Sequence, residues 1–379
     1  MKNMKQTKIR TMRSTPGNQT GLSLIELMIA SVIGLVILGG AVTIFSSNSA
    51  SSKLSTGMAR VQDNGRVALD IISYSLRMTG YEGCRDEVKE PPIVLAQNPP
   101  ASLDLRDNAI WGAEVNGGSW TPAAPADLTS LTVAGRVKDN TDVFYIQHGS
   151  GRTSTLAVDM ATPGAPVVLP DNPDQFGVND MIMISNCDTA EIFRATGITV
   201  DPTTGQTTVA HGTSANTQGN FNTAYTGTGA QESVPVRVMR FEANAYYVGA
   251  SGRTTPQNQP IFSLFVLDTT TGTRTELVEG VENLQVLYGE NIQSDPNGEP
   301  LIRYVTANAV TNYANVLSVQ LGLLIATADY AASDNDNRTY NIAGTTIGVP
   351  GSATDDQHTA DRRMRAAFNT TIQLRNRAL

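Results

Sequence analysis

Residues 20–40, "TGLSLIELMIASVIGLVILGG", decide how this chain is read. A single carboxylate, Glu26, opens an otherwise uncharged apolar run. From Leu27 to Ser52 no residue carries a charge, and the next charge is Lys53. Residues 27–45 would span about 28 Å as a helix, close to the hydrocarbon thickness of a bilayer. Lys2, Lys5, Lys8, Arg10 and Arg13 precede the run with no acid among them. That asymmetry predicts a cytoplasmic N-terminus, with the long C-terminal part across the membrane. A cleaved secretory signal is the alternative, because the small polar residues after the run, "SSNSASSKLSTG", could hold its cut.

Glu26 separates these readings. A charged side chain inside a bilayer costs about 2.5–3.5 kcal/mol on insertion scales, and such residues mark function. Neither a plain anchor nor an ordinary signal peptide needs one. A cut after Gly21 would leave Leu22 with a free ammonium, at a depth similar to Glu26 on a neighbouring helix. Opposite charges attract strongly in a low dielectric, which partly offsets their desolvation. Glu26 then reads as a register device between subunits. The plainer alternative is a carboxylate that snorkels to the interface.

The stretch from Gly21 to Glu26, "GLSLIE", followed by about twenty apolar residues, resembles the prepilin leader of type IV pilins and type II secretion pseudopilins. That resemblance implies a prepilin peptidase cutting between Gly21 and Leu22 in the inner membrane, N-methylation of Leu22, and Glu26 docking onto the N-terminal amine of the preceding subunit. Leu22 stands where the family usually has Phe.

Beyond the apolar run, Leu54, Met58, Val61, Ala68, Leu69, Ile72 and Leu76 recur at spacings of three and four, with Gly65 on the same face. This is an amphipathic helical stripe. No proline interrupts it, and Gly80 in "RMTGYEGC" supplies the stop. Gly34, Gly39 and Gly40 are weak helix formers that either loosen the helix on assembly or allow close packing.

From about Glu90 onward, short β runs alternate with turn residues. The expected organisation is a leader at 1–21 and a long helix at 22–80, transmembrane over 22–45 and amphipathic over 46–80. A β-rich extracytoplasmic domain follows at 81–379, with a large insertion at about 91–230. The fold class is α+β and pilin-like: a long N-terminal α-helix packed on an antiparallel β-rich domain. A Pro- and Gly-rich span at 90–128 connects helix to sheet. "VEGVENLQVLYGEN" reads as a short helix or a strand, Ala332–Asp361 as a surface loop, and "DRRMRAAFNTTIQLRNR" as a closing strand.

"GYEGC", "DMIMISNCDTAEIFRAT", "GVENLQVLYG" and "DRRMRAAFNTTIQLRNRAL" occur in that order over most of the chain and resemble PilW-type minor pilins. The resemblance also supports a Cys84–Cys187 bridge. These are the chain's two cysteines, an even count that reads as one disulfide, the alternative being two unrelated thiols.

Charge and motifs narrow the chemistry. Without the five N-terminal cations, 22 basic residues face 35 acidic ones, a formal −13, which argues against direct nucleic-acid binding. His148, His211 and His358 lie far apart, with no H-E-x-x-H or G-x-S-x-G pattern, so no catalytic residue, cofactor or metal ligand is expected. "DNDNRTYN" from Asp334 and "DPNGE" from Asp295 offer oxygen ligands but lack EF-hand spacing, and read as solvated turns.

The resemblance thus implies a minor pilin that primes type IV pilus assembly and sits at or near the tip, supporting twitching motility, adhesion and DNA uptake. Its partners would be other minor pilins and the major pilin through the N-terminal helix, the prepilin peptidase, and a tip adhesin. It would lie in the inner membrane before assembly and on the cell surface afterwards. A minor pseudopilin of a type II secretion system is the alternative. A membrane-anchored periplasmic enzyme or sugar-binding domain is a third reading, which predicts no cut at Gly21.

Overall fold

The computed structural model describes residues 21, 23–84, 90–227, 236–294 and 300–377. The leader, Leu22 and the turn that includes Asp295 lie outside the described residues. Two compact units divide at Ser52 and Lys53.

One helix, α1, runs unbroken from Leu24 to Met78 through Gly34, Gly39 and Gly40. It ends where the sequence places its stop. Gly80 takes a φ of +73°, a conformation that glycine adopts without a Cβ clash, and its N–H turns away to the Gln147 carbonyl at 2.9 Å. The last helical carbonyls would be orphans, and the far end of the chain satisfies them. The Asn376 side-chain amide reaches the carbonyls of Arg77, Met78 and Thr79 at 3.1–3.3 Å. This C-terminal cap spans almost the whole sequence.

In chain order the first strands are β1 (Ile93–Val94), β2 (Ile110–Asn116), β3 (Ser119–Thr121), β4 (Thr141–Gly149), β5 (Val167–Leu169) and β6 (Met181–Ser185). Next come β7 (Ala190–Arg194), β8 (Gly197–Val200), β9 (Thr207–Ala210), β10 (Arg237–Thr254), β11 (Pro260–Asp268) and β12 (Thr273–Glu279). The last are β13 (Val281–Ser294), β14 (Pro300–Val305), β15 (Val316–Ala326), β16 (Tyr340–Ile342), β17 (Thr345–Gly348), β18 (Asp356–Gln357) and β19 (Arg365–Gln373).

A nine-stranded sheet carries the order β1-β7-β6-β10-β4-β2-β3, with β11 and then β12 joined to β10. The 18-residue β10 holds it together, pairing in succession with β6, β4 and β11. A second sheet runs β14-β13-β15-β19, and two three-stranded sheets, β16-β17-β18 and β5-β9-β8, complete the set. Pairing is antiparallel except between β1 and β7 and between β17 and β18.

Why α1 beds where it does follows from its buried face. Val61, Ala68, Ile72 and Leu76 share one apolar core with Phe144, Ile146, Tyr246 and Val248 of the large sheet and with Leu284, Val319, Leu321 and Ile372 of the second. Tyr145 and Tyr247, one residue along, join the core on the opposite face of the large sheet, as the strand's two-residue period demands. Every residue of β4 is therefore buried, and its apolar run is nearly continuous. The predicted stripe holds from Val61 onward. Leu54 and Met58 stay exposed at 44% and 39%, because the buried face of α1 begins only at Gly57.

Gly65 is the closest approach. A Cβ there would lie 2.3–2.6 Å from ring carbons of Phe368 on β19, so the aromatic ring rests directly on the helix backbone. Two sequence expectations change. The span 90–128 holds β2, a strand interior to the large sheet, because "IWGAEV" alternates between two covered faces. Ala332–Asp361 carries β16–β18, with Ile342 and Ile347 fully buried and Asp336, His358 and Asp361 at 4–6% exposure. Ion pairs and hydrogen bonds hold that segment, where apolar area alone would be too small. "VEGVENLQVLYGEN" is strand, the end of β12 and, after a turn at Gly280, β13.

Replacing Gly65 by leucine should destabilise the domain by about 1–3 kcal/mol or more, since overpacking displaces Phe368. Thermal unfolding compared with Gly65→Leu/Phe368→Ala checks this; the double variant should recover part of the loss.

Candidate functional site

The first N–H groups of a helix have no partners within it. Ser23 and Glu26 satisfy two of them reciprocally. The Ser23 N–H donates to Glu26 Oε2 at 3.2 Å, and the Glu26 N–H donates to Ser23 Oγ at 3.2 Å. This is a capping box, and Leu27 N–H to the Ser23 carbonyl closes the first turn. Ser23 is a residue that the charge argument passed over. Its signal, Ser-x-x-Glu just ahead of an apolar run, lies in the sequence. Large apolar side chains from Leu24 to Phe45 are all more than half exposed. By length and composition this helix can cross a membrane. Gly21 is exposed; Leu22, the other half of the expected cut, lies outside the described residues.

Cys84 and Cys187 are bonded, with Cα atoms 4.9 Å apart and a sequence separation of 103. The bond ties the segment after α1 to the β6–β7 hairpin, where Ser185 Oγ also donates to the Glu82 carbonyl at 2.6 Å.

The three histidines do not meet. His148 is buried in β4 with Nδ1 2.9 Å from the Gly149 carbonyl and Nε2 3.9 Å from a Glu242 carboxylate oxygen. His211 Nε2 lies 2.8 Å from the Ala165 carbonyl, with Phe193 and Phe221 against its ring, and His358 Nε2 lies 2.8 Å from the Arg338 carbonyl. Among the described residues, no group of three or more His, Cys, Asp or Glu is placed to hold a metal ion.

The "DRRMR" segment has a structural answer instead. Arg365 is fully buried and donates to Glu282 at 2.6 Å, lies 3.0 Å from Asp361, and reaches Asp336 at 3.5 Å. Arg363 pairs with Glu282 at 2.9 Å and with Asp361 at 2.7 Å, and Arg338 with Asp336 at 3.0 Å. Three carboxylates thus meet three guanidinium groups. Burial alone would raise Asp361, yet Arg365 and Arg363 hold it below the usual carboxylate range. The cluster fastens the β16–β18 segment to β13 and β19. Asp336, the third residue of "DNDNRTYN", faces this cluster, and Tyr340 also donates to it.

A long N-terminal helix, apolar and exposed in its first half, and a β-rich remainder of mainly antiparallel sheets make an α+β fold. Residues 16–42 match the model of the prokaryotic N-terminal methylation motif, and residues 245–376 match that of type IV pilus-assembly protein W. Together the two matches support a PilW-type minor pilin, related to the type IV pilus; that family is structural. The second match runs from within β10 through β19 and includes the ion cluster. The "GYEGC" and "DMIMISNCDTAEIFRAT" segments fall outside it. No curated protein matches the chain.

Arg365→Ala should cost about 3–5 kcal/mol, because it leaves three buried carboxylates facing only Arg363 and Arg338. Chemical denaturation checks this, and Arg365→Lys should recover only part of the loss. Burial pushes the His148 imidazole down to about 4. The unfolded chain takes up a proton near pH 6.5 that the folded one refuses. The His148 contribution to stability should therefore fall by on the order of 3 kcal/mol as pH drops from about 6.5 to about 4, read as the difference between pH-dependent melts of the wild type and of His148→Gln.

Proposed function

We propose that this protein is a minor pilin that joins other minor pilins in priming type IV pilus assembly and ends at or near the filament tip. The observation that carries the reading is the prepilin-type N-terminus, in which the methylation-motif match covers Gly21, Leu22, Ser23 and Glu26. In this reading the prepilin peptidase cuts after Gly21 in the inner membrane, and Leu22 becomes the methylated N-terminus. The basic leader stays on the cytoplasmic side, and the β-rich domain lies outside.

The mechanism is polymerisation driven by apolar helix packing, with Glu26 setting the axial register. In the capping box, Oε2 accepts the Ser23 N–H, which leaves Oε1 for the ammonium of a neighbouring protomer. The attraction is strong because lipid screens it poorly, and a subunit out of register strands both charges. Twitching motility, surface attachment and DNA uptake would depend on the protein through the filament. The acidic remainder of the chain disfavours direct contact with nucleic acid. A minor pseudopilin role in type II secretion shares the same leader; the match at 245–376 favours the pilus.

The test reads processing and incorporation separately. The mature protein should begin at Leu22, with its amine methylated, by N-terminal sequencing and intact mass. Glu26→Ala and Glu26→Gln should both be processed normally yet enter sheared filaments about tenfold less or worse, a factor equivalent to roughly 1.4 kcal/mol. The Gln variant can still accept the cap, so its defect would isolate the charge. Normal piliation in both would refute the register mechanism, and a mature N-terminus elsewhere would refute the pilin reading itself.

A further inference from the structure

Glu114 on β2 and Asp142 on β4 are direct cross-strand partners. Like charges in that position repel, and residues directly opposite on an antiparallel pair share one face. Both line a cleft of about 190 Å³ to which Asp355 and Asp356 also contribute, and no lysine or arginine is among its described lining residues. Nothing there neutralises the pair.

Asp142 is 5% exposed, and its Oδ2 accepts the Val286 N–H at 2.7 Å. That donor lies just beyond the end of the β13–β14 pairing, which stops at Tyr288. Asp142 therefore supplies the acceptor that a further residue of β14 would have supplied. Through it the large sheet grips β13 of the second sheet. Asn140 reinforces the junction, its carbonyl accepting the side-chain amides of Asn283 and Gln285.

The groups facing Asp142 are known from each packed element. Glu114 comes from β2, with Oε1 buried and without a hydrogen-bond partner. Tyr288 comes from β13; its hydroxyl is fully buried, also lacks a partner, and sits where a Cβ on Gly112 would otherwise lie. Tyr313 is committed to the Gly112 backbone. Asp355 accepts the Thr346 N–H, Asp356 is bonded by the Asn283 amide, and Glu290 pairs with Arg303. None of these is a cation free to offset two carboxylates.

Two opposed carboxylates that lack a counter-charge, one of them buried, are relieved most cheaply when the deeper one keeps its proton. We propose that Asp142, set opposite Glu114 without a counter-charge, keeps a proton and forms a pH-sensitive latch that closes the junction between the large sheet and β13. The deeper group holds the proton: burial, opposed by the Val286 N–H and aided by the Glu114 charge, pushes Asp142 up to about 8. Above that pH Asp142 is charged, and the β4–β13 junction loosens. Below it the junction is shut. For a domain outside the cytoplasm, the medium sets the state of the latch. The inference does not depend on the pilus reading.

The chain's two tryptophans report on this place, since Trp111 lies on β2 and Trp120 on β3. Tryptophan emission of the full chain in detergent micelles, titrated from about pH 5 to about pH 10, should show one transition with a midpoint near 8. Far-UV circular dichroism should hold steady, as expected for a local opening. Asp142→Asn keeps an acceptor for Val286 and has no proton to lose, so its transition should vanish. Glu114→Gln removes the opposing charge and should lower the midpoint by roughly one pH unit. A wild type without the transition, an Asp142→Asn variant that keeps it, or a Glu114→Gln midpoint that stays in place would each overturn the latch. Should Asp142→Asn fail to fold, the Glu114→Gln shift decides the matter alone.

Discussion

The buried face of α1 between Gly57 and Leu76 is the surface on which the rest of the domain closes. It must be covered, because Val61, Ala68, Ile72 and Leu76 are apolar and lie on one side of a helix that is polar elsewhere. Two sheets share that work, and both come close enough only because the helix is narrow where they touch it. Gly65 admits Phe368 from β19, and the Ser75 hydroxyl hydrogen-bonds Tyr246 of β10 at 2.7 Å. The chain's last residues then cap the helix through Asn376. One amphipathic stripe thereby links the first quarter of the sequence to its end.

The apolar stretch ahead of this stripe obeys a different solvent. Leu24 to Phe45 presents apolar side chains all round, and its one charged group sits at the helix start, where the capping box uses it. Glu26 thus has a local role within its own helix and, in the proposed filament, a second role towards a neighbour. The two are compatible because a carboxylate has two oxygens. A lone buried acid would be an unexplained cost; a capping acid with a partner to come is not.

Charge inside the domain follows the same rule, with two solutions. Where cations were close in sequence to anions, as in "DRRMR", the fold gathered them into a neutral cluster of six, buried except for Arg338 at its edge. Where none was available, at Glu114 and Asp142, relief falls to a retained proton. His148 is the complementary case, a base kept neutral by burial. Between about pH 4 and 6.5 the folded chain refuses the His148 proton and retains that of Asp142, so their opposite slopes offset each other; from about 6.5 to 8 the Asp142 slope is left alone.

The helix was legible in the sequence because its period and its stop are local: apolar residues at three and four, no proline, and a glycine at the end. The charge and the Ser-x-x-Glu cap are also written within a few residues of one another. The β16–β18 segment was not legible, because its hold comes from ion pairs whose partners, Glu282 and Arg365, lie on other strands. The role of β2 was hidden likewise, since a strand among Pro and Gly turns is recognised by what covers it. The sequence by itself determined an apolar helix with one acid at its head, an amphipathic continuation, and a β-rich remainder. Only the tertiary structure decided that Asp142 would face Glu114, that Phe368 would rest on Gly65, and that Asn376 would cap α1. Those are contacts between residues far apart in the chain, and no periodicity of three or two encodes which distant residue arrives.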